Sequence, residues 1–379
     1  MKIGFDAKRA AQNRTGLGNY SRFILRILSE NLPGENELYL YTPNPKKASL
    51  LDSLLKDSRL VLKTPTSLFW RYLKSFWRTW GVSNDISSDG VSLFHGLSNE
   101  LPLNIRKVKE TKSIVTIHDL IFLHYPECYH LIDRTIYNYK FRKACEHADR
   151  IIAVSERTKK DIIDFYHIDC DKIDVVYQGC DPVFKRLASD ELKHEVKKRY
   201  ELPDRFILYV GSIEKRKNLL LLIKAMRFLP DDIPVIAIGK HTSYADEVKK
   251  YAINEGIWSR IKMIHDLPFE YLPAMYRLSH LFVYPSRFEG FGIPIIEAIH
   301  SKVPVISCTG SCLEEAGGPS SVYVSPDDDT QLAHSILKIW NDNSVRDRMI
   351  NDGEKYVERF NDKNIFADLM DSYGKTIKI

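Results

Sequence analysis

The sequence predicts an α/β protein of two doubly wound domains, each a parallel sheet with connecting helices. Three observations predict this class. Short runs rich in β-branched residues alternate with longer helical stretches from end to end. The runs are apolar at consecutive positions, as in strands that are buried on both faces. Finally, 379 residues exceed the roughly 250 to 300 that one hydrophobic core organises, so about two domains are expected.

The first half of the chain carries one series of predicted strands. Each is followed by a stretch long enough for a crossover connection, which is the pattern of parallel βαβ units. The strands are predicted at 2–5, 37–41, 92–94, 113–117, 150–154 and 174–177. Residues 1–180 are therefore predicted to form an N-terminal Rossmann-like domain.

The strand pattern lapses after this domain and then restarts. The turn sequence GCDP is followed by a polar helical stretch, so residues 181–204 are predicted to be the linker. Residues 205–361 form the predicted C-terminal Rossmann-like domain, and the helical stretch at 362–379 cannot be assigned to either domain by pattern. The second series of strands is predicted at 206–210, 234–238, 261–264, 281–284, 304–307 and 321–324.

Composition and charge exclude several classes of protein. The 55 Lys+Arg and 50 Asp+Glu residues give a net charge of +5, too slight a bias for a general nucleic-acid binder. The sequence shows no apolar signal stretch and no run of about 18 uncharged apolar residues, so a cytoplasmic chain is expected. The six cysteines include no CxxC pair, and we interpret Cys308 and Cys312 as reduced thiols.

The most informative segment lies at 284–307, where a predicted strand runs into the loop EGFG and then a helix that should begin near Pro294. Backbone amides at such a loop attract phosphate, and its glycines remove side chains that would block a ligand. Glu289 and Glu297, with seven residues between them, are suited to accept hydrogen bonds from sugar and ribose hydroxyls. The alternatives are that Glu289 is a surface loop residue and that Glu297 is an acid favoured by the dipole at a helix start.

A second segment, YVGSIEKRKN, places basic residues directly after another predicted strand. Gly211 opens the turn, and Lys215, Arg216 and Lys217 follow it. Because ligands bind beyond the carboxyl ends of parallel strands, these cations are placed to neutralise a diphosphate. An ordinary solvated basic turn is the alternative.

Together, TGLGNY, the VGS…RKN turn and EGFGIPIIEA with its glutamate spacing resemble glycosyltransferase family 4. The resemblance covers essentially the whole chain, and the glutamate segment is its most specific part. It implies the GT-B fold, in which two Rossmann-like domains face a central cleft and the N-terminal domain lies on the acceptor side. It also implies transfer of a sugar from a nucleotide-diphosphate donor, held mainly by the C-terminal domain, with retention of anomeric configuration.

The resemblance assigns roles to the residues that match its motifs. It implies that Glu289 holds the donor sugar hydroxyls, that Glu297 holds the ribose, and that Arg216 binds the diphosphate. One departure is Ser212, because many members carry Arg directly after the glycine. The implied donor-binding residues are Gly16, Gly18, Gly211, Arg216, Lys217, Glu289, Gly290, Phe291, Gly292 and Glu297.

The N-terminal half supplies further candidates. A TIHDL segment places His118 after a predicted strand, and in mannosyltransferase-like members of the family this histidine reaches the donor sugar. A histidine at a strand end is more often structural, and His95 has a similar, weaker claim. The loop at Gly16 and Gly18 allows close approach of backbone to a ligand. Ser21 stands at the third glycine position of a GxGxxG fingerprint, which disfavours nicotinamide chemistry.

The expected catalytic residues are His118, Lys217 and Glu289. Departure of a nucleoside diphosphate builds negative charge that cations and loop amides stabilise. We predict no metal and no cofactor: the Asp-x-Asp match at 327–329 is explained as a helix N-cap, and that at 169–171 is superficial. No carboxylate pair has the spacing of a double displacement, so front-face attack is favoured, with the leaving phosphate helping to deprotonate the acceptor hydroxyl.

The segment at 67–82 is a candidate for contact with the acceptor or with a membrane. As one helix it places Phe69, Leu73, Phe76, Trp77 and Trp80 on one face, with Arg71, Lys74 and Arg78 beside it. Such a face suits an anionic membrane interface, where a lipid-linked acceptor lies. The residues singled out for this contact are Trp70, Lys74, Trp77 and Arg78. A helix packed on its own domain is the alternative.

The sequence thus indicates a retaining, metal-independent hexosyltransferase of surface polysaccharide biosynthesis. GDP-mannose is the favoured donor, and a glycan or a lipid-linked molecule is the expected acceptor. The chain is expected in the cytoplasm, with peripheral contact to the inner face of the membrane as a further expectation. A nucleotide-sugar epimerase or hydrolase and a non-catalytic nucleotide-sugar-binding protein stay open as alternatives.

Overall fold

The computed structural model describes residues 1–378, apart from the side chain of residue 47. Contacts between Cα atoms divide the chain into two compact units. The first contains residues 1–178 together with the stretch that begins at Asp362, and the second contains residues 179–361. The predicted linker at 181–204 is grouped with the second unit, where it includes a helix at Asp190–Arg199.

The first unit is a parallel sheet with connecting helices. Its strands are β1 (Lys2–Asp6), β2 (Glu37–Tyr41), β3 (Leu60–Lys63), β4 (Leu93–Gly96), β5 (Lys112–Ile117), β6 (Arg150–Ala153) and β7 (Ile173–Val175). Before residue 178 its helices are α1 (Lys8–Gln12), α2 (Gly16–Asn31), α3 (Leu68–Tyr72), α4 (Lys74–Phe76), α5 (Val82–Ser88), α6 (Ile121–His124), α7 (Leu131–His147) and α8 (Glu156–Tyr166). The strands described are ordered β3-β2-β1-β4-β5-β6-β7. This is doubly wound topology, and the strand order reverses between β1 and β4.

The second unit repeats the architecture with a smaller parallel sheet. Its strands are β8 (Ile207–Val210), β9 (Val235–Ile238), β10 (Ile261–Ile264), β11 (Leu281–Tyr284), β12 (Val305–Cys308) and β13 (Val322–Val324). Its helices are α9 (Asp190–Arg199), α10 (Leu219–Ala225), α11 (Ser243–Asn254), α12 (Leu272–Leu278), α13 (Ile293–His300), α14 (Leu313–Gly317), α15 (Asp329–Asn341) and α16 (Asn343–Val357). The strand order β10-β9-β8-β11-β12-β13 reverses between β8 and β11.

Burial on both faces explains why the strands are continuous apolar runs. The consecutive residues Ile207, Leu208 and Tyr209 of β8 are each 0% exposed, and those of β11 are at most 1% exposed. Because β8 and β11 pair in parallel, the loops after them leave the sheet side by side at its reversal point. Ligands of open α/β sheets bind there, beyond the carboxyl ends of the strands. The fold of the second unit therefore places the EGFG loop next to the basic turn.

The C-terminal helix α17 (Asp362–Ile377) returns to the first unit and packs on α2, β5 and β6. Ile365, Leu369 and Tyr373 are 0% exposed within the core that contains β1 and α2. The Tyr373 hydroxyl also lies 2.7 Å from Nδ1 of the buried His95. The sequence pattern alone left this helix unassigned, because its amphipathic face fits any apolar surface.

The strand predictions are confirmed in type and position, with ends that differ by at most two residues. The edge strand β3 was not predicted, because its residues after Leu60 are only half-buried and end in a lysine. The prediction of one helix over 67–82 is wrong. Leu73 has non-helical angles, φ −97° and ψ 51°, which separate α3 from α4, and a π-helical turn follows at Trp77–Gly81. Among the described residues no helix combines the length and apolarity needed to cross a bilayer.

Candidate active site

The EGFG loop joins β11 to α13 and has the predicted local structure. Pro294 stands in the first turn of α13, and Gly292 is its N-cap residue. Gly292 has φ 122°, and a Cβ there would lie 3.1 Å from Ala316 Cβ, so another residue type is strained. The Phe291 side chain is buried, with its ring centroid 5.3 Å from that of Phe360. The loop is therefore anchored in the core of its unit.

Glu289 lies at the centre of a charged cluster in the second unit. Its Oε1 atom is 2.6 Å from Lys217 Nζ and 2.9 Å from an Arg216 guanidinium nitrogen. The Ser286 hydroxyl donates to the same oxygen at 2.6 Å, and the Tyr284 hydroxyl donates to it at 3.1 Å. The structure thus brings together Arg216, Lys217 and Glu289, which lie in two separate segments of the sequence.

The charge state of the cluster follows from its partners. Burial acts to raise the pKa of Glu289, but the Lys217 and Arg216 cations outweigh it and hold the pKa at about 2. Glu289 is therefore a carboxylate at neutral pH. All four contacts go to Oε1. This oxygen holds the side chain in place, while Oε2 retains its capacity to accept hydrogen bonds.

The basic turn after β8 holds its three cations differently. Lys215 is 73% exposed and lies 3.9 Å from a Glu247 oxygen. The Arg216 side chain is only 13% exposed, pairs with Glu214 and donates to the Phe288 carbonyl. Lys217, at 14% exposure, donates to the Tyr284 hydroxyl as well as to Glu289. The predicted alternative of a solvated turn therefore describes Lys215 but not the other two.

Gly211 and Ser212 border this cluster. A Cβ at Gly211 would lie 3.8 Å from Lys217 Cδ, which is ordinary van der Waals contact. The carbonyl of Ser212 accepts a hydrogen bond from the buried Tyr209 hydroxyl at 3.3 Å. The tight glycine in this region is Gly239, where a Cβ would meet the Gly211 carbonyl oxygen at 1.8 Å.

Glu297 lies on α13, whereas Glu289 lies on the loop that precedes this helix. Its Oε2 accepts a hydrogen bond of 3.0 Å from the buried Tyr276 hydroxyl. Desolvation raises the pKa of Glu297 to about 7, the Tyr276 hydrogen bond opposes that shift, and the charge of Asp181 adds to it. Glu289 and Glu297 thus differ in electrostatic environment, although sequence reasoning treated them as one pair.

In the first unit the two glycines of the TGLG loop differ in what a side chain at each position would meet. A Cβ at Gly18 would lie 1.9 Å from the Asn13 carbonyl oxygen, so Gly18 is required by the path of its own chain. Gly16 has nothing within 4 Å of such a Cβ. The structure therefore explains Gly18 within its own chain, and the predicted ligand contact at Gly16 and Gly18 stays a prediction.

His118 follows β5 and is held in a defined tautomer. Its Nε2 lies 2.9 Å from the Leu97 carbonyl oxygen, which can only accept, so Nε2 carries the proton and Nδ1 carries the lone pair. The Tyr20 ring packs edge-on at 4.5 Å between centroids. Desolvation lowers the pKa of His118 to about 4, so the imidazole is neutral at pH 7.

His95 has a structural role that its sequence position did not reveal. Its Nδ1 contacts Tyr373 of α17, and its Nε2 lies 2.8 Å from the Thr116 hydroxyl. The residue is 0% exposed, and desolvation lowers its pKa to about 3. The expectation that His95 contacts a ligand is wrong, because both ring nitrogens bind within the core of the unit.

The residues predicted for acceptor or membrane contact differ in burial. Trp77 is 1% exposed and donates to Asp85 at 2.7 Å, so the prediction is wrong for this residue. Arg78 is 12% exposed and bridges Asp6 and Glu100, which removes it from an exposed basic face. Trp70 is half-buried on Gly81, where a Cβ would lie 2.8 Å from its ring. Lys74 is exposed.

The acidic runs that resemble metal motifs make local contacts. Asp328 accepts the Gln331 amide at 2.7 Å as the N-cap of α15, which confirms the capping interpretation. Asp327 pairs with Arg287, and Asp329 pairs with Arg227. At 169–171 the Asp, Cys and Asp ligand atoms lie within 4.8 Å of one another on an exposed turn, and Asp169 caps that turn.

Sequence reasoning missed Tyr284, Ser286 and Cys312. Tyr284 ends β11 and was interpreted only as a buried strand residue. Its hydroxyl accepts from Lys217 and donates to Glu289, so it joins the two segments. The signal that identifies it is its position, since the last residue of a strand at a sheet reversal faces the ligand edge.

Comparison with known proteins agrees with this geometry. The family described as "Glycosyltransferase Family 4" matches residues 24–184, and that described as "Glycosyl transferases group 1" matches residues 190–356. Similar solved structures include a glycosyltransferase from Rickettsia africae, with 17% identity and a TM-score of 0.79 over 100% of this chain and 98% of that one. Another is Anabaena Alr3699/HepE in complex with UDP, with 15% identity and a TM-score of 0.77 over 99% of this chain and 100% of that one.

Relatives with closer sequences carry the names of mannosyltransferases. O-antigen chain mannosyltransferase B of Escherichia coli is 28% identical over 290 residues, which is 74% of each chain. O-antigen chain mannosyltransferase RfbU of Salmonella typhimurium is 27% identical over 59% of this chain and 60% of its own. Serotype-specific mannosyltransferase WbdA of Escherichia coli is 29% identical over 86% of this chain but only 42% of its own. The match therefore spans less than two thirds of the latter two relatives.

The two Rossmann-like sheets, together with the similar solved structures, define the GT-B fold. The two family matches lie one in each half of the chain and leave little of it unmatched. The chain belongs to glycosyltransferase family 4 and is a glycosyltransferase.

Proposed function

We propose that this glycosyltransferase is a retaining hexosyltransferase that moves mannose from GDP-mannose to a glycan or lipid-linked acceptor in surface polysaccharide assembly. The observation that carries the proposal is the cluster of Arg216, Lys217 and Glu289 at the reversal point of the second sheet. Two cations beside a loop of glycine amides suit a diphosphate, and the carboxylate suits sugar hydroxyls. The mannosyltransferase names of the relatives favour mannose as the sugar.

The mechanism that this cluster supports is leaving-group stabilisation by the protein's own cations. When the bond to the anomeric carbon breaks, charge accumulates on the diphosphate, and Arg216 and Lys217 are already fixed by Glu289 and Tyr284. Fixed cations need little reorganisation at that moment, which is the basis of electrostatic catalysis. We propose that this makes a metal unnecessary and that His118 Nδ1 accepts a hydrogen bond from the donor sugar.

The stereochemical proposal rests on the same residues. Oε1 of Glu289 accepts four contacts, and its pKa is about 2, which makes this carboxylate a weak nucleophile. Attack by the acceptor hydroxyl on the face from which the diphosphate leaves would retain the anomeric configuration. The departing phosphate oxygen would then take the proton of the acceptor hydroxyl.

The donor is tested by thermal denaturation with GDP-, UDP-, ADP- and dTDP-sugars. A ligand at 100 times its Kd stabilises the folded state by about 2.7 kcal/mol, and GDP-mannose should give the largest shift. Transfer of labelled mannose to a lipid-linked acceptor extract should persist in EDTA, and NMR should show an α-linked product. Release of free mannose without a glycosylated product would identify a hydrolase, and loss of transfer in EDTA would refute the metal-independent mechanism.

We also propose that the segment at 67–82 contacts an anionic membrane in which the acceptor lies. Leu68, Phe69, Tyr72, Phe76 and Trp80 are each at least 42% exposed, which is unusual for so many large apolar side chains within one short segment. Residues 58–84 contain no Asp or Glu, and Arg71 and Lys74 are exposed. Exposed aromatic rings together with cations suit the headgroup region of an anionic bilayer.

Liposome flotation tests the membrane contact. Vesicles that contain phosphatidylserine should carry the protein, because anionic lipids attract basic segments, and neutral phosphatidylcholine vesicles should carry less. The double variant Arg71→Glu, Lys74→Glu should lose binding. Lys107→Glu, Lys109→Glu is the matched control, because it makes the same charge change at exposed lysines of the same unit. Equal loss in both variants, or no flotation of the wild type, would refute the contact.

A further inference from the structure

The thiol of Cys312 contacts the backbone of the EGFG loop. Its Sγ lies 3.0 Å from the Glu289 carbonyl oxygen and 3.0 Å from the Phe291 carbonyl oxygen. Both oxygens can only accept, so Sγ–H is the donor, and its single hydrogen is shared between them. Cys312 is 0% exposed and is the N-cap residue of α14. A buried side chain of a different segment thus binds the loop on either side of Gly290.

The same helix supports the loop by packing. A Cβ at Gly292 would lie 3.1 Å from Ala316 Cβ and 3.2 Å from Leu313 Cδ2, both on α14. The loop therefore lies directly on α14, and a hydrogen bond and a steric contact both fix it there. Burial raises the pKa of the Cys312 thiol well above its ordinary value, so the proton that makes the hydrogen bond stays on sulfur at neutral pH.

The orientation of the loop amides follows from these contacts. Across a planar trans peptide, the C=O of one residue and the N–H of the next point in opposite directions. The Glu289 and Phe291 carbonyls point toward Cys312, so the N–H groups of Gly290 and Gly292 point away from it. These two amides are thus directed by one buried thiol.

We propose that Cys312 is a positioning residue for the donor: its thiol holds two loop carbonyls so that the amides of Gly290 and Gly292 face the donor diphosphate and sugar. The inference rests on the proposed function for the identity of the ligand, but its structural part does not. Cys312 touches no substrate and acts only through the loop. Because peptide dipoles bind an anion best when they are oriented before it arrives, loss of the thiol donor should weaken nucleotide binding.

Two measurements on the full-length protein test the role. Cys312→Ala, and Cys312→Val in case the alanine variant folds poorly, remove the donor, whereas Cys312→Ser keeps it. Cys308→Ala is the matched control, because Cys308 is a buried thiol on β12 of the same unit. Hydrogen–deuterium exchange of the segment 288–293 reports loop order without any ligand. Isothermal titration with GDP or UDP, whichever the wild type binds, reports nucleotide affinity.

We expect faster exchange in 288–293 and about fivefold weaker nucleotide binding for Cys312→Ala and Cys312→Val, the loss typical of one hydrogen bond. Cys312→Ser and Cys308→Ala should behave like the wild type. The proposal is overturned by unchanged exchange or affinity in Cys312→Ala, by failure of Cys312→Ser to restore them, or by an equal effect of Cys308→Ala. If the wild type binds neither nucleotide, the proposed function fails, and the exchange comparison still decides whether the thiol orders the loop.

Discussion

At the scale of single residues, the donor cluster depends on which cations are held and which are free to move. Lys217 and Lys215 are two positions apart on one turn, yet their side chains are 14% and 73% exposed. The difference arises because Tyr284 and Glu289 draw Lys217 into the sheet edge. A fixed cation stabilises developing charge at no cost of ordering, whereas a mobile one has to be ordered during the reaction.

Lys217→Ala should therefore reduce kcat by roughly 10²- to 10³-fold, the usual loss when one fixed donor is removed from a charge-stabilising site. Steady-state kinetics with the identified donor measures the change. Lys215→Ala is the control and should stay within about twofold of the wild type, because exposed ion pairs contribute little. Equal losses in the two variants would mean that the net charge of the turn matters, rather than the fixed position of Lys217.

Glu297 should give nucleotide binding a dependence on pH. Its pKa is raised to about 7 by desolvation, so part of the population is protonated at neutral pH. The carboxylate is the better acceptor for the ribose hydroxyls, so the affinity for nucleoside diphosphate should rise as the pH increases from 6 to 8. Titration calorimetry of the wild type against Glu297→Gln separates this effect from titration of the ligand's phosphates, because the variant keeps only the latter. Identical pH profiles would exclude Glu297 from the ribose site.

Residue types and spacing singled out Glu289, Arg216 and Lys217 as candidates, because each follows a predicted strand beside glycines, and the structure places their side chains in contact. Their roles in binding and catalysis stay predictions. Residue types and spacing could not predict Tyr284 or Cys312. Both are buried, and in the sequence they look like any other core residue. Their contribution depends on which backbone atom or side chain of another segment lies opposite, and only the folded chain defines that.

At the scale of elements, the segment 67–82 shows where periodicity fails. Its apolar residues have helical spacing, but Trp77 enters the core while Phe76 and Trp80 stay exposed. The break at Leu73 and the π-helical turn after it change the phase of the helix. A π-helical turn adds residues without adding a turn, so a face computed at 3.6 residues per turn no longer corresponds to one surface.

The helix α17 leads to a prediction about stability. The Tyr373 hydroxyl and His95 join this helix to the sheet of the first unit. Tyr373→Phe leaves the buried Nδ1 of His95 without that partner, so the free energy of unfolding should fall by about 1–3 kcal/mol. Chemical denaturation measures the loss. Lys375→Ala on the same helix removes two ion pairs of a side chain that is 46% exposed. Asp174 keeps its pair with Arg150, so this change should cost less than about 1 kcal/mol. A loss no larger than that of Lys375→Ala would contradict the anchoring role of Tyr373.

At the scale of the whole molecule, the two halves of the chain form similar sheets although their sequences show no repeat. The common cause is the alternation of doubly buried strands with connecting helices, which is why the fold class was predictable. The return of α17 to the first unit was not predictable, because it is a contact between distant parts of the chain. Both sheets reverse their strand order, and the residues with shifted pKa values at their carboxyl ends make stability depend on pH.

Stability should be greatest near pH 7 and decline in acid before ordinary carboxylates titrate. Desolvation lowers the pKa of His95 to about 3 and of His118 to about 4, so each stabilises the fold above pH ~6.5 and loses that contribution as the pH falls. Glu297, with its pKa raised to about 7, has the opposite sign between pH ~4.5 and 7. Each group contributes about 1.4 kcal/mol per pH unit. Two histidines against one glutamate therefore leave a net loss of about 1.4 kcal/mol in the free energy of unfolding per pH unit between pH 6.5 and 4.5.

Urea denaturation at a series of pH values measures this slope. The variant His118→Gln, whose amide can still donate to the Leu97 carbonyl, should bring the slope close to zero. A flat profile in the wild type would contradict this account, because it would mean that only one of the two histidines keeps its lowered pKa in the folded state.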